Sequence, residues 1–490
     1  TTPLLTLPKN LLLSLIQQQD QSYNMDNDQL YYLSISEAAA LLRRGQISPL
    51  ALTRAYLDRI HAKDPLINSY VTILADSALK EAVTATLEIE KRTYRGPLHG
   101  IPIGLKDLFD TEGIRTTAQS KVLEHRVPDQ DATVVSKLRD SGAILLGKLA
   151  MHEFALGGPT TSLFKPARNP WCIDRIPGGS SSGSGAAVAA GLCMGALGSD
   201  TMGSIRGPAA LCGIVGLKPT YGRISRSGVL PLSWTLDHCG PMTWTVEDAA
   251  IMLETIAGHD PKDSTSSSVE VPPYSSLIAE IPRGIRVGVL RSYVIDSQEQ
   301  MDPEALANFE HALREMASIG ATITDVEIPS LISGDAANTV IMLAEAFSYH
   351  RNNLQLQPEN FGHPARTRFY TGGLFTSADY LHAQQVRAKI RHQTQDLLQT
   401  VDVLILPGSR SPAPEFATID PLATSLGGGF MSLANLTGFP AISVPSGFNS
   451  IGLPLSVQII GRAFDEPTIL RLAYAYEQAT KANRNRRPDL

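Results

Sequence analysis

Residues 178–216 constrain the fold of this 490-residue chain more than any other stretch. The segment holds 11 of the chain's 39 glycines, six serines and only two charged residues, Asp200 and Arg206. Glycine loses the most conformational freedom on folding, so this concentration is expected where backbone approaches another group closely. The apolar runs at 186–190 and 212–217 do not fit a flexible Ser/Gly linker. The segment therefore predicts a buried, tightly turned site.

Six serines share this segment: Ser180, Ser181, Ser182, Ser184, Ser199 and Ser204. A serine hydroxyl is a poor nucleophile at neutral pH and needs a base within hydrogen-bond reach. Peptide N–H groups in glycine-rich turns can hold the oxyanion of a tetrahedral intermediate. Asp200 and Arg206 carry opposite charges in an apolar setting, which predicts that they pair with each other or with the site.

Helical and strand patterns alternate along most of the chain. Helices are predicted at 34–45, 48–65, 75–92, 131–140, 185–197 and 465–481, with Ser36 and Ser48 capping the first two. Strands are predicted at 98–105, 143–147, 401–407, 440–446 and 454–461. Such alternation indicates an α/β architecture with a mostly parallel or mixed sheet. We expect an N-terminal arm and helical cap at 1–65 and one large domain at 66–490, with a helical excursion at about 260–400.

Composition argues for a cytoplasmic protein without nucleic acid or membrane as partner. The net charge is −6 and the pI is about 6.0, which gives no electrostatic reason to expect either surface. The four cysteines occur singly, as expected for buried free thiols in a reducing compartment. The apolar N-terminal arm lacks a basic region and a cleavage site, and no stretch approaches the ~20 apolar residues of a membrane span.

Several long motifs, in a consistent order, make the sequence recognisable. The central ones are PGGSSSGS at 177–184, GSDTMGSIR at 198–206 and CGIVGLKPT at 212–220. Others are GIPIGLKD at 100–107, EFALG at 153–157, NPW at 169–171, SWTLDH at 233–238 and NLTGFP at 435–440. Together they resemble the amidase signature family over roughly residues 35 to 480. The resemblance implies a central twisted mixed β-sheet flanked by helices on both faces.

The resemblance also implies a catalytic triad without histidine. The family's lysine falls on Lys106, its second serine, held by a cis peptide bond, on Ser180, and its nucleophile on Ser204. Neutral Lys106 would accept a proton through Ser180 while Ser204 attacks the carbonyl, a Ser-Lys variant of nucleophile activation. A free lysine has a pKa of about 10.4, so burial must lower the pKa of Lys106 for this role. No metal or cofactor is implied.

Further roles carried over from the family concern the oxyanion, the support of the site and the substrate. The oxyanion would be held by backbone N–H groups of Thr201, Met202, Gly203 and Ser204. Supporting residues are Ser181, Asp200 and Arg206, and substrate would contact Gly157 and Gly158. Met202 departs from the family, which usually has glycine there, and its side chain is expected either to narrow the pocket or to alter the backbone conformation near the oxyanion hole.

Two other types of site fit parts of the sequence less well. GSSSG at 179–183 matches the G-x-S-x-G elbow of α/β-hydrolases, with Ser181 as the nucleophile of an esterase, but that motif follows a strand and residues 175–178 are a poor strand. A catalytically silent binding protein is disfavoured because all three catalytic positions are filled. His238, inside a family-like motif, is a further residue of interest near the site.

The expected function is a standalone amidohydrolase of small neutral amides, aryl amides or carbamates, with a possible homodimer and no other macromolecular partner. The alternative is a glutamine-hydrolysing subunit of a tRNA-dependent amidotransferase. That subunit usually has an acidic residue where this chain has Gly428, and the 233–238 motif looks more like standalone members. Side chains of the excursion could line an apolar pocket or pack in the core: Phe347, Tyr349, Phe369, Tyr370, Leu374 and Phe375.

Overall fold

A computed structural model describes residues 27–280, 284–296, 301–420, 422, 429–481 and 486–490. The apolar N-terminal arm up to residue 26 and Gly428 lie outside the described residues. Within the described residues no helix is long and apolar enough to cross a membrane.

The described strands form a single mixed sheet of eleven strands. They are β1 Tyr70–Ile73, β2 Pro102–Lys106, β3 Ile144–Leu149, β4 Gly195–Asp200, β5 Val215–Lys218, β6 His238–Thr243, β7 Arg286–Val289, β8 Thr322–Asp325, β9 Val403–Pro407, β10 Ala441–Phe448 and β11 Pro454–Ile460. Their spatial order is β1-β3-β2-β4-β6-β5-β10-β11-β9-β7-β8. β2 is parallel to β3 and β4, and β7 is parallel to β8 and β9. The remaining pairs are antiparallel.

Helices flank this sheet, which confirms the predicted α/β class. They are α1 Asn27–Leu30, α2 Ile35–Arg43, α3 Pro49–Ile67, α4 Ala75–Glu90, α5 Thr133–Asp140, α6 Ser182–Ala189, α7 Arg206–Cys212, α8 Val246–Ile256, α9 Tyr274–Leu277, α10 Arg291–Asp296, α11 Pro303–Ser318, α12 Gly334–Leu356, α13 His363–Gly372, α14 Ser377–Thr400, α15 Ser432–Thr437 and α16 Glu466–Thr480. Most of the buried apolar side chains between the helices and the sheet form one continuous core. Every residue of β2 and β4 is buried, so these strands lie inside it.

Local chemistry explains where the first helices begin. Ser48 caps α3 as predicted, since its side chain accepts the Ala51 N–H. The predicted cap Ser36 is wrong: Ser34 caps α2, accepting the Glu37 N–H while the Glu37 carboxylate accepts the Ser34 N–H. This reciprocal pair satisfies two backbone donors at once. The Ser36 hydroxyl donates instead to Glu247.

The predicted helix at 185–197 is wrong in its second half. α6 ends at Ala189, Gly191 has a left-handed φ of 65°, and the chain then enters β4 at Gly195. Apart from Leu197, β4 is composed of small or polar residues, and none of its residues is β-branched, so its propensity did not reveal it. Its pairing with β2 and β6 supplies the stabilisation that local preference lacks.

The interval 260–400 contains α9 to α14 and also β7 and β8, which the sequence patterns did not reveal. α12 packs against α13 and α14 of the same interval and also against α15, which lies outside it. The boundary at residue 65 stays a prediction.

Candidate active site

Lys106 is the last residue of β2, and its side chain is fully buried. β4 is the parallel neighbour of β2, so the carboxyl ends of both strands lie at one edge of the sheet, where α/β proteins bind ligands. Lys106 Nζ lies 2.7 Å from Ser180 Oγ, 2.8 Å from Ser199 Oγ and 3.0 Å from Ser181 Oγ. Three hydroxyls therefore surround the amine, and no carboxylate of the described residues forms an ion pair with it.

Burial determines the charge state of Lys106. Removal of water lowers its pKa to about 7, while the carboxylates of Asp237 and Asp200 oppose the shift. An amine with this pKa is neutral in about half of the molecules near pH 7 and can then accept a proton. The expectation that burial lowers the pKa of Lys106 therefore agrees with its surroundings.

Ser180 is bonded to both Lys106 and Ser204, through different groups. Its hydroxyl contacts Lys106 Nζ, and its backbone N–H donates to Ser204 Oγ at 3.0 Å. The expected cis bond between Gly179 and Ser180 is wrong for this structure, since every described peptide bond is trans.

Close backbone approach explains the glycine before Ser180. A Cβ at Gly179 would lie 3.0 Å from Ser204 Cα and 3.2 Å from Ser204 Oγ. A side chain at residue 179 would therefore push Ser180 and Ser204 apart. This is the close approach that the glycine content of the segment predicts.

The two serines proposed as nucleophiles differ in access. Ser204 is partly exposed, whereas Ser181 is fully buried. The Ser181 hydroxyl donates to Ser199 O at 3.1 Å and accepts the Ser199 N–H and the Lys106 amine. Among the described residues no strand directly precedes it. Ser181 therefore contacts the lysine, its supporting role stays a prediction, and the α/β-hydrolase elbow is wrong because the strand it requires does not precede Ser181 in the described residues.

Asp200 and Arg206 form a buried ion pair that braces the turn around Ser204. Arg206 Nε lies 3.0 Å from Asp200 Oδ2, and both side chains are fully buried. Burial alone would raise the pKa of Asp200, but the Arg206 guanidinium outweighs it, so the pKa is lowered and the carboxylate stays ionised. Asn435 donates to Asp200 Oδ1 at 2.9 Å and accepts from Arg206 at 2.6 Å. The predicted pairing is confirmed.

The turn offers fewer oxyanion donors than expected. The Gly203 N–H already donates to Asp200 Oδ1 at 2.7 Å, so including it among the oxyanion donors was wrong. Gly203 has a φ of 102°, and a Cβ there would lie 2.7 Å from Met431 Cβ. Within the described part of the chain, the N–H groups of Thr201, Met202 and Ser204 have no acceptor, which leaves these three for an oxyanion.

Ser204 opens into a cavity of about 120 Å³, which we call the serine chamber. Its wall consists of His152, Ala155, Leu156, Gly158, Pro159, Ile176, Gly178, Gly179, Ser180, Thr201, Met202, Ser204, Leu232 and Met342. Gly158 lies on the wall as expected, whereas Gly157 lies behind it and donates its N–H to Glu153 O at 2.8 Å. Met202 and Met342 are both part of the chamber wall, and the effect of Met202 on substrate stays a prediction.

The residues of the excursion named as pocket or core candidates are absent from the lining of the serine chamber, and both of the alternatives left open for them occur elsewhere. Phe369 packs in the core against Phe154 and Phe361. Phe347, Tyr370 and Leu374 line a separate groove. The docking of α12 places Met342 at the chamber instead, which no local pattern could indicate.

Sequence reasoning gave no role to three residues of the site. Ser199 contacts Lys106 because β4 pairs with β2, and strand pairing was the only signal that could have revealed it. Asp237 accepts the Thr201 hydroxyl at 2.6 Å. His152 lines the serine chamber, and burial followed by the charges of Lys106 and Arg368 lowers its pKa to about 3, so it is neutral.

His238 lies on β6 opposite Asp200 and away from Ser204. Its Nδ1 lies 2.7 Å from Leu236 O, which fixes the proton on that nitrogen. Burial and Lys218 lower its pKa well below the ordinary value. It lines a second cavity, of about 180 Å³, that also includes Ser199 and Asp237. His238 therefore lies near the lysine side of the site without touching a catalytic hydroxyl.

Comparison with known proteins places this geometry in a family. The family model described as Amidase matches residues 51–470, most of the chain. The chain belongs to the amidase signature family. It is accordingly an enzyme that hydrolyses C–N bonds, as the sequence motifs predicted.

Individual members of the amidase signature family extend the comparison. The chain is 41% identical over 485 residues to the A subunit of the glutamyl-tRNA(Gln) amidotransferase of Carboxydothermus hydrogenoformans, covering 94% of this chain and 99% of the relative. The solved A subunit of the same enzyme from Thermotoga maritima is 35% identical, with a TM-score of 0.76 over 94% of this chain and 96% of that one. A chain from a vestigial protein complex linked to the origins of an s-triazine catabolic enzyme is 33% identical, with a TM-score of 0.86 over 94% and 100%.

These relatives overturn two expectations. The standalone hydrolase of small neutral amides, aryl amides or carbamates is wrong as the main function, because the relatives at about 40% identity are components of a tRNA-dependent amidotransferase. The expectation of no nucleic acid and at most a homodimer is wrong for the same reason. It relied on net charge, which describes the whole surface of one chain and not the assembly into which a chain fits.

Proposed function

We propose that this chain is the glutamine-hydrolysing component of a tRNA-dependent amidotransferase. The observation that carries the proposal is near full-length similarity to amidotransferase A subunits, 41% over 94% of the chain. The buried Lys106 beside Ser180 and Ser204 supports it, because this arrangement suits hydrolysis of a carboxamide. In such an enzyme the ammonia released from glutamine would amidate a glutamyl group carried on tRNA.

The nucleophile in this proposal is Ser204, and Lys106 is the base. The Ser204 proton passes to the Ser180 hydroxyl while Ser180 gives its own proton to neutral Lys106. The Ser204 oxygen forms a bond to the carboxamide carbon of glutamine. Among the described residues the Ser180 and Ser204 hydroxyls are not hydrogen-bonded to each other, and catalytic hydrogen bonds often tighten only when substrate binds.

Breakdown of the tetrahedral intermediate releases ammonia. The proton on Lys106 returns through Ser180 to the nitrogen as the C–N bond breaks, which leaves the γ-glutamyl group on Ser204. A water molecule then attacks this ester, gives one proton to Lys106 and releases glutamate, and Ser204 regains its proton. The N–H groups of Thr201, Met202 and Ser204 hold the oxyanion in both halves of the cycle.

The proposal also implies partners and a location. The amidotransferase relatives are components of a larger enzyme, so we propose protein partners for this chain, with tRNA contacted by the assembly. The cytoplasmic location expected from the sequence is kept as part of the proposal, because tRNA-dependent amidation takes place where tRNA is aminoacylated.

The test is reconstitution with the remaining components of a tRNA-dependent amidotransferase. Ammonia release from glutamine would be measured for the chain alone and for the mixture, together with conversion of glutamyl-tRNA(Gln) to glutaminyl-tRNA(Gln). We expect the partners to raise glutamine hydrolysis and to make tRNA amidation dependent on Ser204.

Two controls decide the outcome. Ser204→Ala should abolish both reactions in the mixture, while Ser184→Ala should keep them, because Ser184 is a buried serine of α6 whose hydroxyl donates to Leu197 O. Rapid hydrolysis of an aryl amide by the chain alone, with no glutamine turnover in any mixture, would refute the amidotransferase proposal.

A further inference from the structure

Helix α12 of the excursion reaches the catalytic turn with one of its faces. Asn338, Met342 and Glu345 are spaced four and three residues apart, so they lie on the same side of the helix. Asn338 Nδ2 lies 3.5 Å from the carbonyl oxygen of Thr201, and Met342 is part of the serine chamber wall. The helix therefore touches both the turn that carries Ser204 and the chamber in front of it.

Glu345 binds the loop at 233–237 with both carboxylate oxygens. Its Oε2 accepts the Ser233 hydroxyl at 2.6 Å and the Thr235 N–H at 2.9 Å. Its Oε1 accepts the Thr235 hydroxyl at 2.8 Å and the Tyr380 hydroxyl at 2.8 Å. Four donors thus occupy this carboxylate, and three of them belong to the loop.

A second side chain of the excursion is hydrogen-bonded to the same loop. Arg387, on α14, donates to Thr235 Oγ1 and to Thr235 O, both at 2.9 Å, and to Leu436 O at 2.8 Å. Thr235 is therefore held by an acid from α12 and a base from α14. Such a pair fixes the loop in one position relative to both helices.

The loop in turn holds the oxyanion turn through Asp237. The Asp237 carboxylate accepts the N–H groups of Leu232 and Ser233 at 2.8 and 3.0 Å. Its other oxygen accepts the Thr201 hydroxyl at 2.6 Å. A continuous series of hydrogen bonds therefore leads from Glu345 through Ser233 and Asp237 to Thr201, one of the three available oxyanion donors.

We propose that Glu345 is a positioning residue that sets the orientation of the Thr201 N–H, and with it the reactivity of Ser204. Glu345 touches no reacting atom and acts through the loop and Asp237. The inference rests on the proposed Ser204 site but not on the identity of the substrate.

Glu345→Gln is the informative substitution because it preserves size while breaking this pattern. A carboxylate accepts at two oxygens, whereas a carboxamide accepts at one and carries two N–H donors. The amide nitrogen would replace one carboxylate oxygen, so the hydroxyls that face it would have to accept instead of donating. The Thr235 and Tyr380 hydroxyls already accept from Arg387 and Gln384. We therefore expect the loop to shift, which moves Asp237 and Thr201.

Ser204 reactivity would be measured as labelling by a fluorophosphonate, with the maximal rate and the half-saturating concentration determined separately. We expect Glu345→Gln to lower the maximal rate by about 10- to 100-fold, because a misplaced oxyanion donor costs at most as much as a removed one. The half-saturating concentration should stay within about twofold, since chamber contacts that bind the probe are kept. Arg351→Gln, on an exposed face of α12, is the matched control and should react like the wild type.

A double-mutant cycle tests the route. Thr201→Val removes the hydroxyl bonded to Asp237, so Glu345→Gln should have little further effect in that background. An unchanged maximal rate in folded Glu345→Gln, or fully additive losses in the double variant, would overturn the positioning role. Absence of label on Ser204 in the wild type would instead overturn the proposed nucleophile, so the two failures are distinguishable.

Discussion

The two walls of the serine chamber are built in different ways. One wall, the sheet wall, carries Ser180 and the turn at 201–204 that follows β4, and behind it Lys106 at the end of β2 contacts three buried hydroxyls. The other, the excursion wall, includes Met342, and Glu345 of the same helix binds the loop at 233–237. The candidate reacting groups therefore lie at the carboxyl ends of sheet strands, whereas the excursion supplies only part of the chamber lining.

The largest expected effect is on the sheet wall, at the nucleophile. Ser204→Ala should lower kcat by roughly 10⁴-fold or more, as loss of a catalytic serine does elsewhere. Steady-state ammonia release from glutamine measures it, with Ser184→Ala as control. A rate within tenfold of the wild type would remove Ser204 from the mechanism.

The base should be nearly as sensitive. Lys106→Arg places a permanent cation among the hydroxyls and should lower the rate by roughly 10²- to 10⁴-fold. In the wild type the required neutral form of Lys106 is lost as the pH falls below its pKa of about 7. The value of kcat/KM should therefore increase as the pH is raised through about 7.

Lys148 is the matched control for this pH dependence, since it is equally buried on β3 and bonded to Phe109 O and Thr116. Lys148→Met should lower the melting temperature without moving the acid limb of the profile. An acid limb that persists in Lys106→Arg would assign the titration to another group.

The buried ion pair between Asp200 and Arg206 leads to a prediction about the stability of the fold rather than about the catalytic rate. Arg206→Met leaves the Asp200 carboxylate buried without its partner, which should lower the free energy of unfolding by about 3–5 kcal/mol. Arg95→Met, which breaks a solvent-exposed pair with Glu88, should cost no more than about 1 kcal/mol. Urea unfolding measures both, and equal losses would mean that the buried pair does not brace the fold.

The smallest effect is expected at Met202, whose side chain lines the serine chamber. Met202→Gly should change KM for glutamine by less than about tenfold and leave kcat nearly unchanged, because it alters space rather than reacting groups. In this variant kcat/KM should rise more for amides bulkier than glutamine than for glutamine itself. Met342→Leu, a volume-conserving change, is the control. A large fall in kcat would show that Met202 shapes the oxyanion turn itself.

The sheet wall was far easier to predict than the excursion wall. Lys106, Ser180, Ser181 and Ser204 lie in dense motifs to which the family resemblance assigns their roles, and the structure brings these residues together. Ser199 was missed because its contact with Lys106 depends on strand pairing. The trans bond before Ser180 and the engaged Gly203 N–H also depend on surroundings that motifs do not specify.

The excursion could not be predicted in the same way. Glu345 and Met342 reach the site only through the docking of α12, and the sequence pattern could not decide which side chains of the excursion line a pocket and which pack in the core. The amidotransferase function was only the alternative, because Gly428 and the 233–238 motif are local features, whereas the similarity to amidotransferase relatives spans the chain.

The most direct test of the central claim is mass-spectrometric mapping of the residue modified by a fluorophosphonate. The account predicts a single adduct on Ser204, whose formation slows steeply below pH 7 and is lost in Lys106→Arg. An adduct on Ser181, or labelling of Ser204 that is indifferent to Lys106, would contradict it.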